Sequence, residues 1–472
     1  MIRFTRPLLA GPLLAGLLMA GHLPAAMAGL PGAADGLTAA DPAAQASPPA
    51  WPLLPAEPSS DPPALPEGLP AARAQWQRVN DQVAAFARGH IDLLRWEQAR
   101  AEPAAAPGST PSTPSTPSTP SAPEPLTLQA ALAASLKHQP ELFTRPEMNA
   151  REQAAVQAAW ARHVQGVHKA WVDAVTARTR AALMAQAHDV ARTGAELGRR
   201  MVVAGNWSQA RQMREQLVET AAWQALVSAR LAERAAVEAL AGRLGLWRGP
   251  DIVALAARLP QGLPALPEAV WPDQAVDAGR IEALALQADA DLALLRTEVE
   301  RDRRAADPAR EALLQARLDQ AVASAGTGAS APPHIATLER PGDAAAERSL
   351  HGQARLLSHA AERRSAARLA WQQVALRHAA ARQATDGLIK LHTALDQETL
   401  LRYNGMLQST WDLLASARER IGALDTALQA RAAYWRALAD GQALLAGAPA
   451  SAVSLAPDNA AAAGTGAASP GH

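Results

Sequence analysis

The sequence contains no cysteine. That absence rules out disulfides, thiolate nucleophiles, cysteine zinc sites and a lipid anchored on an N-terminal cysteine. Aromatic residues are only 4% of the chain, with three phenylalanines and two tyrosines, so cores built on large rings give way to closely spaced helices. No charge of either sign is in surplus: Lys plus Arg and Asp plus Glu number 45 each, for a formal net charge of zero. A phosphate-backbone partner calls for a basic excess, so the balance argues against nucleic acid. Long apolar runs are also scarce. One near the start, Leu8 to Ala20, follows Arg3 and Arg6 and ends near Ala26-Met27-Ala28, the pattern of an export segment, assigned to 1–28. At about 13 residues it is too short for a dependable span, and no later segment offers about 18 uninterrupted apolar residues. The mature chain is therefore expected to lack a transmembrane helix.

What the chain does have is alanine, leucine, arginine and glutamine in helical order, interrupted by two proline-rich stretches. Residues 29–71 read as a poorly ordered arm rich in Pro, Ala and Ser, and 101–125 as a spacer carrying Ser-Thr-Pro repeats. Between them, 72–100 reads as a short amphipathic helical segment with Trp76, Val79, Val83, Phe86, Ile91, Leu93 and Leu94, broken near Gly89. A tail follows from 450 to 472.

From Leu126 the pattern becomes that of long helices. Leu128, Leu132 and Leu136 open one that stops at Gln139-Pro140. A helix of roughly 55 residues, about 80 Å at 1.5 Å per residue, is predicted from Asn149 to Val203. It turns at Gly205-Asn206 and returns from the N-cap Ser208 to Leu244-Gly245, with Pro250 beyond. The second half repeats the plan: a helix over about Ala275 to Ala306, a weakly patterned stretch, a long helix over Asp343 to Tyr403, a turn at Asn404-Gly405, and a return ending at Leu445-Ala446-Gly447. The two turn glycines lie 200 positions apart, and each is followed by an Arg-Glu pair, Arg214-Glu215 and Arg418-Glu419. This reads as an internal duplication over 126–272 and 273–449. The fold class is all-α: two repeated long antiparallel helical hairpins. In the last helix Leu407, Leu414, Ile421, Leu428 and Trp435 recur every seven residues. That fits a coiled-coil seam, with a simply amphipathic bundle helix as the alternative.

No Ser-His-Asp order, phosphate-binding glycine loop or paired carboxylates occur in a context that supports catalysis, so the chain reads as a non-enzyme without a cofactor. His163 and His168, or His351 and His359 with His378, are spaced five and eight apart on their helices. Same-face ligand pairs are three or four apart, so polar inter-helix histidines are the better account and no metal is assigned. Trp160, Trp171 and Trp371 read as core. Trp207 follows a turn glycine, where burial within its own hairpin is difficult, so partner contact stands beside burial as its reading.

Several of these segments resemble the TolC family of outer-membrane efflux proteins. Leu126-Thr127-Leu128-Gln129-Ala130-Ala131-Leu132 with Gln139-Pro140-Glu141-Leu142 is similar to the family's opening helix. Arg200 to Ser208 and Leu401 to Leu407 resemble its two hairpin tips, and Ala433 to Asp440 its tail. Arg402-Tyr403-Asn404-Gly405-Met406 and Phe86-Ala87-Arg88-Gly89-His90 look like a branch linked with copper and other metal resistance. The resemblance implies a homotrimer forming a helical tunnel, located in the outer membrane or periplasm of a Gram-negative bacterium. Its tips would meet a periplasmic adaptor that couples it to an inner-membrane pump. The implied docking residues are Ala204, Gly205, Asn206, Trp207 and Ser208, with Asn404, Gly405, Met406, Leu407 and Asp412; at the place of Asp412 the first repeat has Arg211. A soluble periplasmic coiled-coil protein without conduit activity is the alternative.

One part of the family pattern is missing. A membrane barrel needs strands of about 9 to 11 alternating residues. Only Phe143 to Asn149 separate the opening helix from the next, and the corresponding slot near Asp307 to Gly342 shows no period-two pattern. Little or no β-barrel is expected.

Overall fold

The computed structural model describes residues 49–58, 124–325 and 343–452. The export segment, the short helical segment 72–100, most of the proline-rich arm and spacer, and the tail beyond 452 lie outside the described residues. Among those described there is no strand, and none of the helices is long and apolar enough to cross a membrane.

Helix α1 (Leu128–Leu136) begins at Thr127, whose hydroxyl accepts from the Ala130 amide, and a 3-10 turn over Pro140–Leu142 follows it. Helix α2 (Ala150–Val203) is a single run of 54 residues, about 80 Å long. Asn149 and Glu152 form a capping box at its start, so the orphan amides of the first turn are satisfied locally. The return helix α3 (Gln209–Arg243) starts from Ser208, and its end at Gly245 has φ +71°, a conformation only glycine enters without strain. Pro250 then does double duty: it cannot continue α3, yet it sits in the first turn of α4 (Gly249–Arg258), where its missing N–H costs nothing.

The second repeat follows the plan with three differences. The helix expected over Ala275 to Ala306 is split into α5 (Ile281–Ala288) and α6 (Ala290–Ala305). Asp289 causes the break, because its carboxylate accepts from the Leu292 amide and acts as a new N-cap. The weakly patterned slot contains a helix, α7 (Pro308–Ala325), which packs on the long helix that follows. That long helix runs through α8 (Asp343–Arg382), a π-helical turn over Gln383–Leu388 and α9 (Ile389–Asn404). The return helix α10 (Thr410–Leu445) starts at Ser409 with a second capping box through Asp412.

Contacts run in series from α3 to α2 to α10 to α8 and α9, so the two hairpins form one layer of long helices in which α2 and α10 are internal. Two apolar clusters hold the base half of this layer. One gathers Val167, Trp171, Val172 and Val175 of α2 with Leu240 and Leu244 of α3, Leu255 of α4 and Leu428 of α10. The other gathers Trp271, Ile281 and Leu284 with Ala367, Ala370 and Val374 of α8 and Tyr434 and Leu438 of α10. Alanine is prominent in both, and its small volume lets long helices approach near the lower end of the 8–10 Å range. Trp171 is core, as read, with its indole N–H donating to the Leu126 carbonyl at 3.0 Å. The heptad seam holds at Ile421 and Leu428, which are buried, but Leu407 precedes the N-cap and is 79% exposed.

Part of the arm is seated. Residues 49–58 run extended beside α3: the Trp223 indole donates to the Pro55 carbonyl at 3.3 Å and Arg234 to that of Pro52 at 3.1 Å. Arg234 also lies over the Trp51 ring, 5.7 Å from its centroid, and Trp51 packs on the first cluster. Pro, Ala and Ser without sustained periodicity predict a poorly ordered arm, but one large ring and two carbonyls dock this piece.

Polar groups join the two hairpins where α2 and α10 face each other. Lys169 and Gln165 reach the buried Asp440 at 2.9 and 2.7 Å, Arg436 reaches Asp173 at 2.5 Å, and Arg180 meets Asp425 at 3.2 Å. Behind them Arg363 of α8 is 1% exposed. It donates to the carbonyls of Ala285, Leu444 and Ala448 and lies 3.4 Å from Asp289, tying the ends of α5 and α10 to α8. Burial pushes the Arg363 guanidinium below its usual range, and Asp289 opposes that shift.

Candidate functional site

The residues singled out from sequence fall at one end of the layer. The first tip is built by a helix end of Schellman type: Gly205 takes φ +74°, its amide donates to Val202, and that of Asn206 to Met201. The second tip makes the same bonds from Met406 to Tyr403 and from Leu407 to Arg402. The left-handed residue there is Met406, with φ +59°, and Gly405 is not. The repeat is thus offset by 201 positions, as the N-caps Ser208 and Ser409 also show, and the 200-residue spacing of the glycines is corrected by one. The Arg-Glu pairs are not equivalent in this register. They meet each other instead: Glu215 of α3 lies 3.9 Å from Arg418 of α10.

Trp207 is engaged inside the protein. Its ring centroid is 4.2 Å from that of Trp411, which comes from the first turn of α10, and the Arg211 guanidinium covers it at 3.9 Å. The two rings rest on α2 at Gly194 and Gly198. A Cβ on Gly198 would stand 3.2 Å from the Trp207 ring, and one on Gly194 would stand 3.6 Å from Trp411 and 3.2 Å from the Glu215 carboxylate. A turn position gives Trp207 little cover within its own hairpin, and the second hairpin supplies the missing surface. Asp412 is likewise occupied, accepting from both the Ser409 amide and its hydroxyl at 2.9 and 2.8 Å. These bonds hold its carboxyl below the ordinary aspartate range. Arg211 occupies the matching place in the first tip, so a pair of facing carboxylates is not formed.

Three large apolar side chains stand outward at this end among exposed polar ones. Met406 is 88% exposed, Leu407 79% and Val203 67%, while Gly205, Asn206, Ser208, Asn404 and Gly405 are exposed around them and Ala204 and Trp207 are half-buried. Sequence reading missed Trp411, Gly194 and Gly198. A signal was present: a tryptophan lies within two residues of each N-cap serine, and two glycines four apart interrupt an alanine-rich helix at a cost of about 1 kcal/mol each.

Three of the five histidines considered for metal have structural partners. His163 shares a hydrogen bond with Ser135 at 2.9 Å, His359 with Asp289 at 3.2 Å, and His378 with the Pro267 carbonyl at 2.8 Å. Burial pushes His168 down to about 4. Among the described residues no group of three His, Asp or Glu is arranged to hold a metal ion.

Several solved structures align with this chain. The Campylobacter jejuni CmeC outer membrane channel aligns over 69% of this chain and 69% of its own, at 11% identity and a TM-score of 0.44. The Vibrio cholerae outer membrane protein VceC covers 67% and 75%, at 17% identity and TM-score 0.40, and the open state of the Neisseria gonorrhoeae MtrE channel 68% and 72%, at 17% and 0.39. The chain is similar to outer-membrane channels. These are TolC-family proteins, the family that the tips and opening helix resemble. No protein-family model and no curated protein matches the sequence.

Proposed function

We propose that the chain is a non-enzymatic, exported component of a tripartite efflux system. As a homotrimer it forms a helical conduit in the periplasm, passes small solutes or metal ions, and docks through its tips on a periplasmic adaptor coupled to an inner-membrane pump. The observation that carries this reading is the placement of both tips at one end with Met406, Leu407 and Val203 turned outward. Apolar side chains held in water on two adjacent turns are a recognition surface rather than a packing device.

The edges of the layer support the same reading. In the base half, α5, α6 and α7 cover α8, and residues 49–58 lie along α3. Exposed apolar side chains nevertheless occur along both edges, with Met213, Leu217 and Leu231 on α3, Leu357 and Leu376 on α8, and Leu391 and Leu395 on α9. Copies placed side by side would bury them.

A second reading has its own observation. No strand occurs among the described residues, and 143–149 join the 3-10 turn to α2 directly. The described residues, with neither barrel strands nor a long apolar helix, cannot span hydrocarbon, which favours a soluble periplasmic coiled-coil protein without conduit activity. Fractionation separates the two. A detergent-requiring trimer in outer-membrane fractions supports the conduit, whereas a soluble periplasmic monomer removes it.

A further inference from the structure

We propose that Trp207 and Trp411, seated on the Gly194–Gly198 notch of α2, latch the two hairpin tips into one composite end whose loops move together. Calling that end a docking site rests on the function proposed above; the latch does not.

The two apolar clusters lie in the base half, so a tip tens of ångströms away along α2 gains little rigidity from them. Two helical hairpins joined only at their base would splay independently at their free ends. In this chain the free ends are tied by groups from every long helix that reaches them except α9. Trp207 belongs to the first tip, Trp411 to the first turn of α10, and the two glycines to the last turns of α2. Arg211 of α3 covers the outer face of Trp207, and Glu215 and Arg418 meet one to two turns further in.

The glycines show that the seat is built. Gly194 and Gly198 are both buried and lie on one face of a helix in which alanine is the common residue. A methyl group at Gly198 would crowd the Trp207 ring at 3.2 Å, closer than ordinary contact. Glycine is used there to let a tryptophan approach the backbone. Because Trp411 lies just behind Met406 and Leu407 in sequence, and Trp207 just behind Gly205 and Asn206, the latch fixes the spacing of the two exposed loops. A partner then meets one preformed surface and loses less freedom on binding than with two loose loops.

The test uses the absence of native cysteine. Asn206→Cys and Leu407→Cys introduce the only two thiols, and spin labels on them report the inter-tip distance by pulsed electron paramagnetic resonance. The expected result is one narrow distribution in the otherwise unchanged full chain. It should become about twofold wider in Trp207→Ala/Trp411→Ala and stay narrow in Trp411→Phe, which keeps a ring in the seat. A broad distribution in the parent, or one equally narrow in the double alanine variant, overturns the latch. Hydrogen exchange on the unaltered protein decides the case if that variant does not fold: amides 199–212 and 403–416 should share one protection level, and two unrelated levels refute the proposal. Failure of adaptor capture with a narrow distribution would remove the docking reading and leave the latch standing.

Discussion

In the base half, α2 and α10 are sandwiched between two apolar clusters, and the buried Asp440 is held there by Lys169 and Gln165. Toward the tips the same alanine-rich helices are held by two N-cap serines, two Schellman-type ends, one pair of tryptophans and the ion pairs Glu215–Arg418 and Asp396–Arg420. Burial in the first region is worth roughly 25 cal/mol per Å² and accumulates over many side chains. Caps and ring pairs in the second contribute about 1 kcal/mol each. The base should therefore set global stability, and the tips should be the part that opens, adapts and binds.

The sharpest way to break this contrast is Arg363→Met. The substitution removes the donor that serves the carbonyls of Ala285, Leu444 and Ala448 and leaves Asp289 without its buried cation. A loss of about 3–5 kcal/mol is expected in urea unfolding, the cost of leaving one half of a buried ion pair. A loss below about 1 kcal/mol would mean the base is held by alanine packing alone.

His168 gives a pH-dependent test of the same region. Burial pushes it down to about 4, so the folded chain binds fewer protons than the unfolded one between about pH 6.5 and 4. Stability from this group is present above 6.5 and is lost as the pH falls toward 4, by at most about 3 kcal/mol. In His168→Gln the decline in Tm across that window should flatten. An unchanged acid limb would place the titration elsewhere.

How much of this was legible in the sequence follows the same division. Hairpin bounds were readable because their signals are local: Asn149 with Glu152, Ser208, Gly205 and Gly245 each act on their own backbone. The break at Asp289 was not, because alanine and leucine continue the helical pattern on both sides and only the cap chemistry of one carboxylate interrupts it. Helix α7 was missed for a similar reason, since its apolar pattern is weak and its support comes from α8. The two turns were legible to within a residue, but the contact between them was not: Trp207 meets Trp411 across 204 positions, and no local rule links a turn in one repeat to a helix start in the other.

Smaller effects belong to the tips. Ser409→Ala removes one half of a capping box and should cost about 1 kcal/mol. The loss should appear as faster exchange in the first turn of α10, around Asp412 and Leu413, with the global urea midpoint shifted less than by Arg363→Met. An equal shift of both would show that the tip unfolds only with the base.

Met406→Gly carries the smallest stability change and the most information about function. Met406 holds φ +59°, where a side chain costs about 1–2 kcal/mol, and it is 88% exposed. The equivalent first tip solves the same turn with Gly205. Glycine at 406 should therefore stabilise the tip, by about 0.5–1 kcal/mol once the extra freedom of the unfolded chain is counted. A stable protein would then carry a weaker contact surface, because the thioether chain that projects beyond Leu407 is gone. If capture of the proposed adaptor falls while tip protection rises, the strain at Met406 is maintained for recognition. If capture is unchanged, the methionine is incidental to docking, and Leu407 and Val203 must supply the apolar contact.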